Sequence, residues 1–246
     1  MEDVARHSSF AQQPLWDDVH QMDWNCSFVA PFAWLISGPA SSGKTMVVLE
    51  FVKKVRRLMV PPPKRLVIAY RTYQSAYDAL RRLIHTELIK GVPEVSRLRE
   101  GDLLLLDDLM SDVEDCVEFF TVHSHHIPCS VIFLSQNMFA NKQRTLSLNA
   151  HYLTIFRNPR DNRQIKTLAS QLETDSAFVT SAFQQATGDK PHTYLHVNCK
   201  QKAQSLFKYR SRIDPVGSPV YVRAEIKERA KQCGEEDIIK MLVEPR

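Results

Sequence analysis

A short loop rich in glycine and serine carries the residue types best suited to phosphate chemistry. Its sequence from Gly38 to Thr45, Gly-Pro-Ala-Ser-Ser-Gly-Lys-Thr, fits G-x-x-x-x-G-K-[ST] at every fixed position. In such loops, backbone N–H groups cradle phosphates, the lysine reaches the terminal phosphates, and the last hydroxyl ligates Mg²⁺. We therefore expect ATP and Mg²⁺ as ligands. The residues expected to bind the nucleotide are Gly38, Ser41, Ser42, Gly43, Lys44 and Thr45.

Two adjacent carboxylates complement this loop. Asp107 and Asp108 directly follow the apolar run Leu103–Leu106. At the end of a buried strand, one carboxylate can hold Mg²⁺ and its neighbour can polarise the attacking water. We assign Asp107, with Thr45, to the metal and Asp108 to the water. A capping pair of aspartates after a buried strand is the alternative, and the complete phosphate-binding loop argues against it.

Other polar residues are candidates because of where strands end. Ser130–Ser135 has the composition of a buried strand, and Gln136 and Asn137 follow it, where a polar side chain could meet the γ-phosphate. Oligomeric ATPases also lend an arginine to the γ-phosphate of a neighbouring subunit. The candidates for that role are Arg144, Arg157, Arg160 and Arg163, and a surface role is the alternative for each.

The cysteines and the histidine cluster do not have metal-binding spacing. His123, His125 and His126 stand at i, i+2 and i+3, which do not converge on one ion from a helix, and no second ligand cluster exists. The five cysteines are odd in number and never form a C-x-x-C pair. We therefore expect no zinc site and no disulfide framework, but buried thiols in a reducing, intracellular compartment.

The elements that must position these residues alternate between strand and helix. A strand precedes the phosphate-binding loop and a helix follows it, as the loop's chemistry requires. Alternation of this kind predicts a parallel sheet with helices on both faces, and ligands at the carboxyl ends of the strands. The predicted strands are Phe32–Ser37, Arg65–Tyr70, Leu103–Leu106, Ser130–Ser135, Tyr152–Phe156 and Thr193–Asn198. The predicted helices are Met46–Leu58, Tyr73–Ile89, Val113–Phe120 and Pro159–Leu172, the last with Asn158 as its N-cap.

The inserted strand Arg65–Tyr70, between the phosphate-binding loop and the aspartate pair, refines the expected fold class. With the polar end of the fourth strand, it indicates an α/β P-loop NTPase core of the additional-strand catalytic-acid type. The mostly parallel sheet should carry helices on both faces. The pattern is not that of kinases or GTPases, and no guanine-reading N-K-x-D is present.

Composition places the chain among ordinary globular proteins. It has 246 residues, of which 43% are apolar and 24% charged. No apolar stretch approaches the roughly 18 residues of a membrane span, and the first ten residues do not form a secretory signal. A net charge of +4 is too small to indicate nucleic-acid binding by itself. We predict an N-terminal extension (residues 1–28), an ATPase domain (29–216) and a C-terminal helical tail (217–246).

Several longer strings resemble one family of motors. These are Pro61–Arg65, Leu106–Ser111, Ser124–His126 with Ser130–Asn137, Ser147–Tyr152, Phe156–Asp161 and Pro191–Leu195. They resemble the DNA-packaging ATPases of Polinton/Maverick elements and adintoviruses, which belong with the poxvirus-type packaging ATPases in the FtsK/HerA-like division. The resemblance spans residues 32–214 and is more specific than the phosphate-binding loop alone.

The resemblance implies an ATP-driven motor that moves double-stranded viral DNA into a preformed capsid. Its implied partners are double-stranded DNA, further copies of itself in a ring of five or six, and capsid proteins, with no membrane. Lys44, Asp108 and Gln136 would be catalytic, and Arg144 or Arg160 would act across the subunit interface. Asp108 stands where these motors often have glutamate.

The implied location is inside an infected or element-bearing host cell, with the nucleus and the virion as finer alternatives. Two other functions stay open from the sequence. One is a different FtsK/HerA-like translocase or helicase, and the other is a slow nucleotide-binding switch or assembly scaffold.

Overall fold

The computed structural model describes residues 28–109, 112–119, 127–138, 143–188, 190–200, 205–214, 218–232 and 239–245. Its strands are β1 (Phe28–Val29), β2 (Ala33–Ser37), β3 (Met59–Val60), β4 (Arg65–Tyr70), β5 (Thr86–Lys90), β6 (Asp102–Asp107), β7 (Ser130–Ser135), β8 (Tyr152–Phe156), β9 (Tyr194–Asn198), β10 (Tyr209–Arg210), β11 (Val220–Tyr221) and β12 (Leu242–Val243). Its α-helices are α1 (Lys44–Lys53), α2 (Val55–Leu58), α3 (Ala76–Arg81), α4 (Val113–Glu118), α5 (Gln143–Asn149), α6 (Arg163–Leu172), α7 (Ser176–Thr187) and α8 (Ala224–Gln232).

Ten of these strands form one sheet in the order β12-β11-β10-β9-β8-β2-β7-β6-β4-β5. The six strands from β8 to β5 in this order are parallel to one another, whereas β9 pairs antiparallel with both β8 and β10, and β10 pairs antiparallel with β11. Strand β7 lies between β2 and β6, so the strand before the phosphate-binding loop and the strand before Asp107 are second neighbours. The predicted α/β class, with a mostly parallel sheet, is confirmed.

Helices cover both faces of the sheet because its central strands are apolar at nearly every position. Alternate residues of each strand point to opposite faces. One face packs against α1 and α3, through buried residues such as Phe51 and Leu80. The other packs against α4, α5, α6 and α7, through residues such as Leu146, Leu168 and Val179. Covering both faces leaves the loops at the strand ends as the accessible places for polar chemistry.

The predicted helix Tyr73–Ile89 is wrong beyond its middle. Helix α3 covers only Ala76–Arg81, and Thr86–Lys90 forms the parallel edge strand β5. Strand β5 pairs with β4 along its whole length, from Leu66 opposite Thr86 to Tyr70 opposite Lys90. This pairing satisfies backbone groups of β4 that a helix would have left without a strand partner.

The predicted start of the helix at Pro159 is also wrong, because α6 begins at Arg163. The residues before it form a turn, in which the N–H of Asp161 donates to the carbonyl of Asn158 (3.1 Å). The carboxylate of Asp161 then accepts from the N–H of Arg163 (3.1 Å). The polar residues at 158 and 161 thus organise a turn ahead of the helix.

Two regions contain more structure than the sequence analysis describes. Helix α7 was not predicted, although the Asp175 side chain caps it by accepting from the N–H of Phe178 (3.3 Å). Beyond residue 217, where we predict a helical tail, the described residues form α8 and the strands β11 and β12, which extend the sheet. The domain boundaries stay a prediction, and the extension up to residue 27 lies outside the described residues.

Candidate nucleotide and metal site

The phosphate-binding loop connects the carboxyl end of β2 to the start of α1. Its first residue, Gly38, donates its N–H to the carbonyl of Ser135 on β7 (3.1 Å). A Cβ atom at Gly38 would lie 2.6 Å from Cβ of Phe156 and 2.7 Å from Oγ of Ser42, so a larger residue there would displace the loop. Gly43 caps α1 with φ +107°, a conformation that favours glycine. Glycine is therefore favoured at the two fixed positions of the motif for different reasons, lack of space at Gly38 and backbone conformation at Gly43.

The Lys44 ammonium is held inside this loop. Its Nζ donates to the carbonyl oxygens of Gly38 (2.8 Å) and Pro39 (2.9 Å). Burial lowers the pKa of Lys44, and the negative charges of Asp107 and Asp108 partly oppose that effect. The lysine therefore lies within electrostatic reach of both aspartates.

The two aspartates occupy different environments although they are adjacent. Asp107 ends β6 and is 5% exposed. Burial raises the pKa of Asp107, while the hydroxyl of Tyr77, which donates to its Oδ2 (2.8 Å), acts in the opposite direction. Asp108 is partly exposed and has φ +58°, a left-handed conformation that aspartate tolerates better than most residues. The chain turns here, so the second carboxylate leaves the buried strand.

Sequence reasoning missed Gln74, which joins two of the predicted site residues. Its Oε1 accepts from the hydroxyl of Thr45 (3.3 Å), and its Nε2 donates to Oδ2 of Asp107 (3.0 Å). Gln74 lies between β4 and α3, and β4 is the neighbour of β6 in the sheet. The only signal in the sequence is position, because Gln74 is among the first polar residues after a strand that flanks the aspartate strand.

Gln136 and Arg160 lie around this edge without forming part of that cluster, whereas Arg144 lies on helix α5. Gln136 is exposed and directly follows Ser135, which pairs with Ser37 at the end of β2. Arg160 is exposed in the turn after β8, four residues beyond the Phe156 side chain that packs on Gly38. Arg144 is exposed on α5, ahead of the amino end of β8. The structure therefore brings Gln136 and Arg160 to the edge of the sheet that bears the loop, and places Arg144 on a helix.

A second residue missed from the sequence, His192, contacts the loop from the turn before β9. Nδ1 of His192 lies 3.1 Å from the carbonyl oxygen of Ser42, which can only accept a hydrogen bond. His192 has φ +61° and packs over Gly43, where an added Cβ would lie 3.3 Å from its Nδ1. The turn before β9 thus covers one side of the phosphate-binding loop.

Two of the described cysteines, Cys116 and Cys129, are buried thiols. Burial raises the pKa of Cys116 to about 12 and that of Cys129 to about 11, so neither thiol is an activated nucleophile. Among the residues that the structure describes, no group of three or more histidine, cysteine or acidic side chains could hold a metal. His123, His125 and His126 of the excluded zinc cluster lie outside the described residues.

Strand order, loop and aspartate pair together define an α/β P-loop NTPase fold. The residues present fit a nucleotide with Mg²⁺, because a glycine-lined loop opens a helix and oxygen ligands lie beside a half-buried lysine. Thr45 and Asp107 are the side chains that would hold the cation. No helix among the described residues is both long and apolar enough to cross a bilayer.

No family model and no curated protein matches the sequence. Among solved structures, the chain is similar to the genome packaging NTPase B204 from Sulfolobus turreted icosahedral virus 2 in complex with AMPPCP. The TM-score is 0.49 at 11% identity, over 70% of this chain and 95% of that one. The chain is also similar to B204, the DNA-packaging ATPase from Sulfolobus turreted icosahedral virus, with a TM-score of 0.49 at 12% identity, over 71% of this chain and 96% of that one. A KaiC-like protein from Pyrococcus horikoshii OT3 has a TM-score of 0.42 at 11% identity, over 78% of this chain and 91% of that one.

Proposed function

We propose that this chain is an ATPase that uses Mg²⁺. The observation that carries the proposal is the meeting of Lys44, Thr45 and Asp107 at one edge of the sheet, with Gln74 joining the last two. A chance glycine-rich turn would not place a half-buried lysine within electrostatic reach of an aspartate pair at the end of β6, the second neighbour of β2 in the sheet.

Each residue has a distinct part in the proposed hydrolysis. The N–H groups of the loop and of the first turn of α1 bind the phosphates, and Lys44 supplies a positive charge to the β- and γ-phosphates. Asp108 polarises the attacking water, and its partial exposure lets water reach it. The bound cation, held through Thr45 and Asp107, would neutralise charge on the phosphate oxygens.

We further propose that hydrolysis drives double-stranded viral DNA into a capsid, and that the motor is a homo-oligomeric ring. The support is the resemblance of several strings to packaging ATPases, and one of them lies inside the site. The string Phe156–Asp161 begins with the side chain that packs on Gly38 and contains Arg160. The end of β8 that leads into the turn of Arg160 is therefore in contact with the phosphate-binding loop.

Some basic residues of the run Lys53–Arg57 form ion pairs within the chain, whereas others are available to contact DNA. Lys54 donates to Asp214 (2.9 Å), and Arg57 pairs with the same carboxylate. Lys53 and Arg56 are exposed and form no ion pair with another described residue. Phosphate contacts require basic side chains that are free to face the DNA backbone. Lys53 and Arg56 are therefore our first candidates for the DNA-binding surface.

The test measures duplex affinity and ATP turnover on two unrelated sequences across a salt series. A motor that tracks any sequence holds phosphates, so affinity should not depend on sequence and should fall steeply with salt. Each phosphate contact makes the slope of log K against log salt steeper by about 0.9. The double variant Lys53→Ala with Arg56→Ala should therefore have a slope that is shallower by about 2. Arg97→Ala with Arg223→Ala, two arginines that are already ion-paired with Glu87 and Asp175, is the matched control.

The same measurements distinguish the competing functions. Turnover that neither duplex stimulates, or affinity that does not respond to salt, would contradict the motor and favour the nucleotide switch. Stimulated turnover together with DNA uptake into empty capsids separates packaging from helicase work.

A further inference from the structure

Gln74 makes a hydrogen bond to each of the two side chains proposed to hold the cation. An amide has one accepting and one donating end, and a carboxylate can only accept. Nε2 must therefore face Asp107, which leaves Oε1 for Thr45, as the contacts at 3.0 Å and 3.3 Å show. The chemistry of the two partners fixes the orientation of the amide.

This orientation suits the binding of a cation by Thr45. A hydroxyl that ligates a metal uses an oxygen lone pair, so its hydrogen must point to an acceptor elsewhere. Oε1 of Gln74 is such an acceptor. At Asp107, the donors Gln74 and Tyr77 both bind Oδ2, which fixes the rotation of the carboxylate. Partners of this kind orient metal ligands and account for a large part of metal affinity.

Gln74 is itself held in place by its own segment. Its carbonyl accepts from the N–H of Tyr77 (3.0 Å), which ties it to the first turn of α3. Tyr77 is fully buried and packs against the rings of Tyr70 and Tyr73, with centroids 5.5 Å away in each case. The two donors to Asp107 therefore come from one anchored turn, which is what a precise site requires.

We propose that Gln74 is a positioning residue for the divalent cation, holding the Thr45 hydroxyl and the Asp107 carboxylate in the arrangement that Mg²⁺ needs. The proposal rests on the proposed ATPase function and adds a residue from outside the two sequence motifs. It also gives the loop after β4 a role, since this loop would be the third element of the metal site.

The test is a Mg²⁺ titration of AMPPCP binding, with EDTA as the metal-free reference. The variants are Gln74→Met, which conserves length and volume but removes both hydrogen bonds, and Gln74→Ala. Thr72→Ala, on an exposed residue of the same loop, is the control. We expect all variants to bind AMPPCP in EDTA as the unmodified chain does. The Mg²⁺ concentration for half-maximal enhancement should rise about 10-fold or more in both Gln74 variants and stay unchanged in the control.

Three results would overturn the proposal. The first is an unchanged Mg²⁺ requirement in both Gln74 variants. The second is a defect in Gln74→Ala that Gln74→Met repairs, because volume rather than hydrogen bonding would then matter. The third is a loss of AMPPCP binding in EDTA as large as the loss with Mg²⁺, because Gln74 would then support the phosphate-binding loop rather than the cation. Failure of the unmodified chain to bind AMPPCP at all would instead contradict the proposed ATPase.

Discussion

The different surroundings of Asp107 and Asp108 suit them to different tasks. A carboxylate that is buried and fixed by two donors is suited to hold a cation, because its position is defined before the cation arrives. A carboxylate that is partly exposed after a left-handed turn is suited to meet water. The assignment made from sequence order alone thus receives a physical reason, and it stays a prediction.

At this scale, Asp108→Asn should retain binding of Mg·AMPPCP while ATP turnover falls about 100-fold or more. The change removes a base and leaves the proposed cation ligands in place. Lys44→Ala should behave differently and lose nucleotide binding, because the loop Gly38–Thr45 has no second basic side chain for the phosphates. Binding by calorimetry and turnover by phosphate release would measure both. Loss of AMPPCP binding in Asp108→Asn would mean that the two aspartates have exchanged roles.

Predictability at the residue scale ends where no motif exists. Lys44 and Thr45 are fixed by a pattern whose spacing is itself the mechanism, so the sequence identifies them. Gln74 has no such pattern, because its role depends on which strand lies beside β6. The sequence order of strands does not reveal their spatial order, and the pairing of β4 with β6 became known only from the structure.

At the scale of elements, the fully buried strands were the easiest to predict. Arg65–Tyr70 and Ser130–Ser135 have the bounds that their apolar runs predict. Thr86–Lys90 was not predicted as a strand because it is half-buried at the sheet edge and follows helix α3 after only four residues. Its conformation is decided by a partner, β4, rather than by its own periodicity. Helix α7 was missed although Asp175, a good N-cap residue, precedes it.

The junction of β8 and β9 gives a prediction about pH. His196 is fully buried on β9, with Nδ1 2.9 Å from Oγ1 of Thr154 on β8. Burial lowers the pKa of His196 well below its ordinary value, and the charge of Arg210 acts in the same direction. Below about pH 6.5 the unfolded chain therefore binds a proton that the folded chain does not. The free energy of unfolding should fall by about 2 kcal/mol for this group between about pH 7 and pH 5.

Urea unfolding of His196→Gln and of the unmodified chain at the two pH values would measure this effect. The variant should lose less stability on acidification, because the titrating group is gone. Thr154→Val is the matched control. It removes both hydrogen bonds of the Thr154 hydroxyl, the one with Nδ1 of His196 and the one from Nε1 of Trp34 (2.9 Å), but keeps the imidazole. It should lower stability at both pH values and leave the pH dependence intact. An unchanged pH dependence in His196→Gln would contradict the prediction.

At the scale of the whole molecule, the proposed arginine acting between subunits would make ATPase activity a property of the assembly. An isolated subunit should hydrolyse ATP poorly, and specific activity should rise with protein concentration as rings form. Mixing Arg160→Ala subunits with Lys44→Ala subunits should then recover activity, because some interfaces combine an intact arginine with an intact loop. The Arg144→Ala mixture is the parallel case. Mixtures as inactive as their parents for both arginines would exclude both residues from this role.

Burial of the described thiols has a consequence for measuring how the molecule opens. Cys116 lies on α4 and Cys129 just before β7, both in the core on one face of the sheet. A thiol reagent attacks the thiolate, so labelling at each position must wait until the surrounding core opens. The labelling rate, followed by mass spectrometry, thus reports local opening at two points of that face. Comparing the rates with and without nucleotide would show whether occupying the phosphate-binding loop slows the opening of the helices that cover this face.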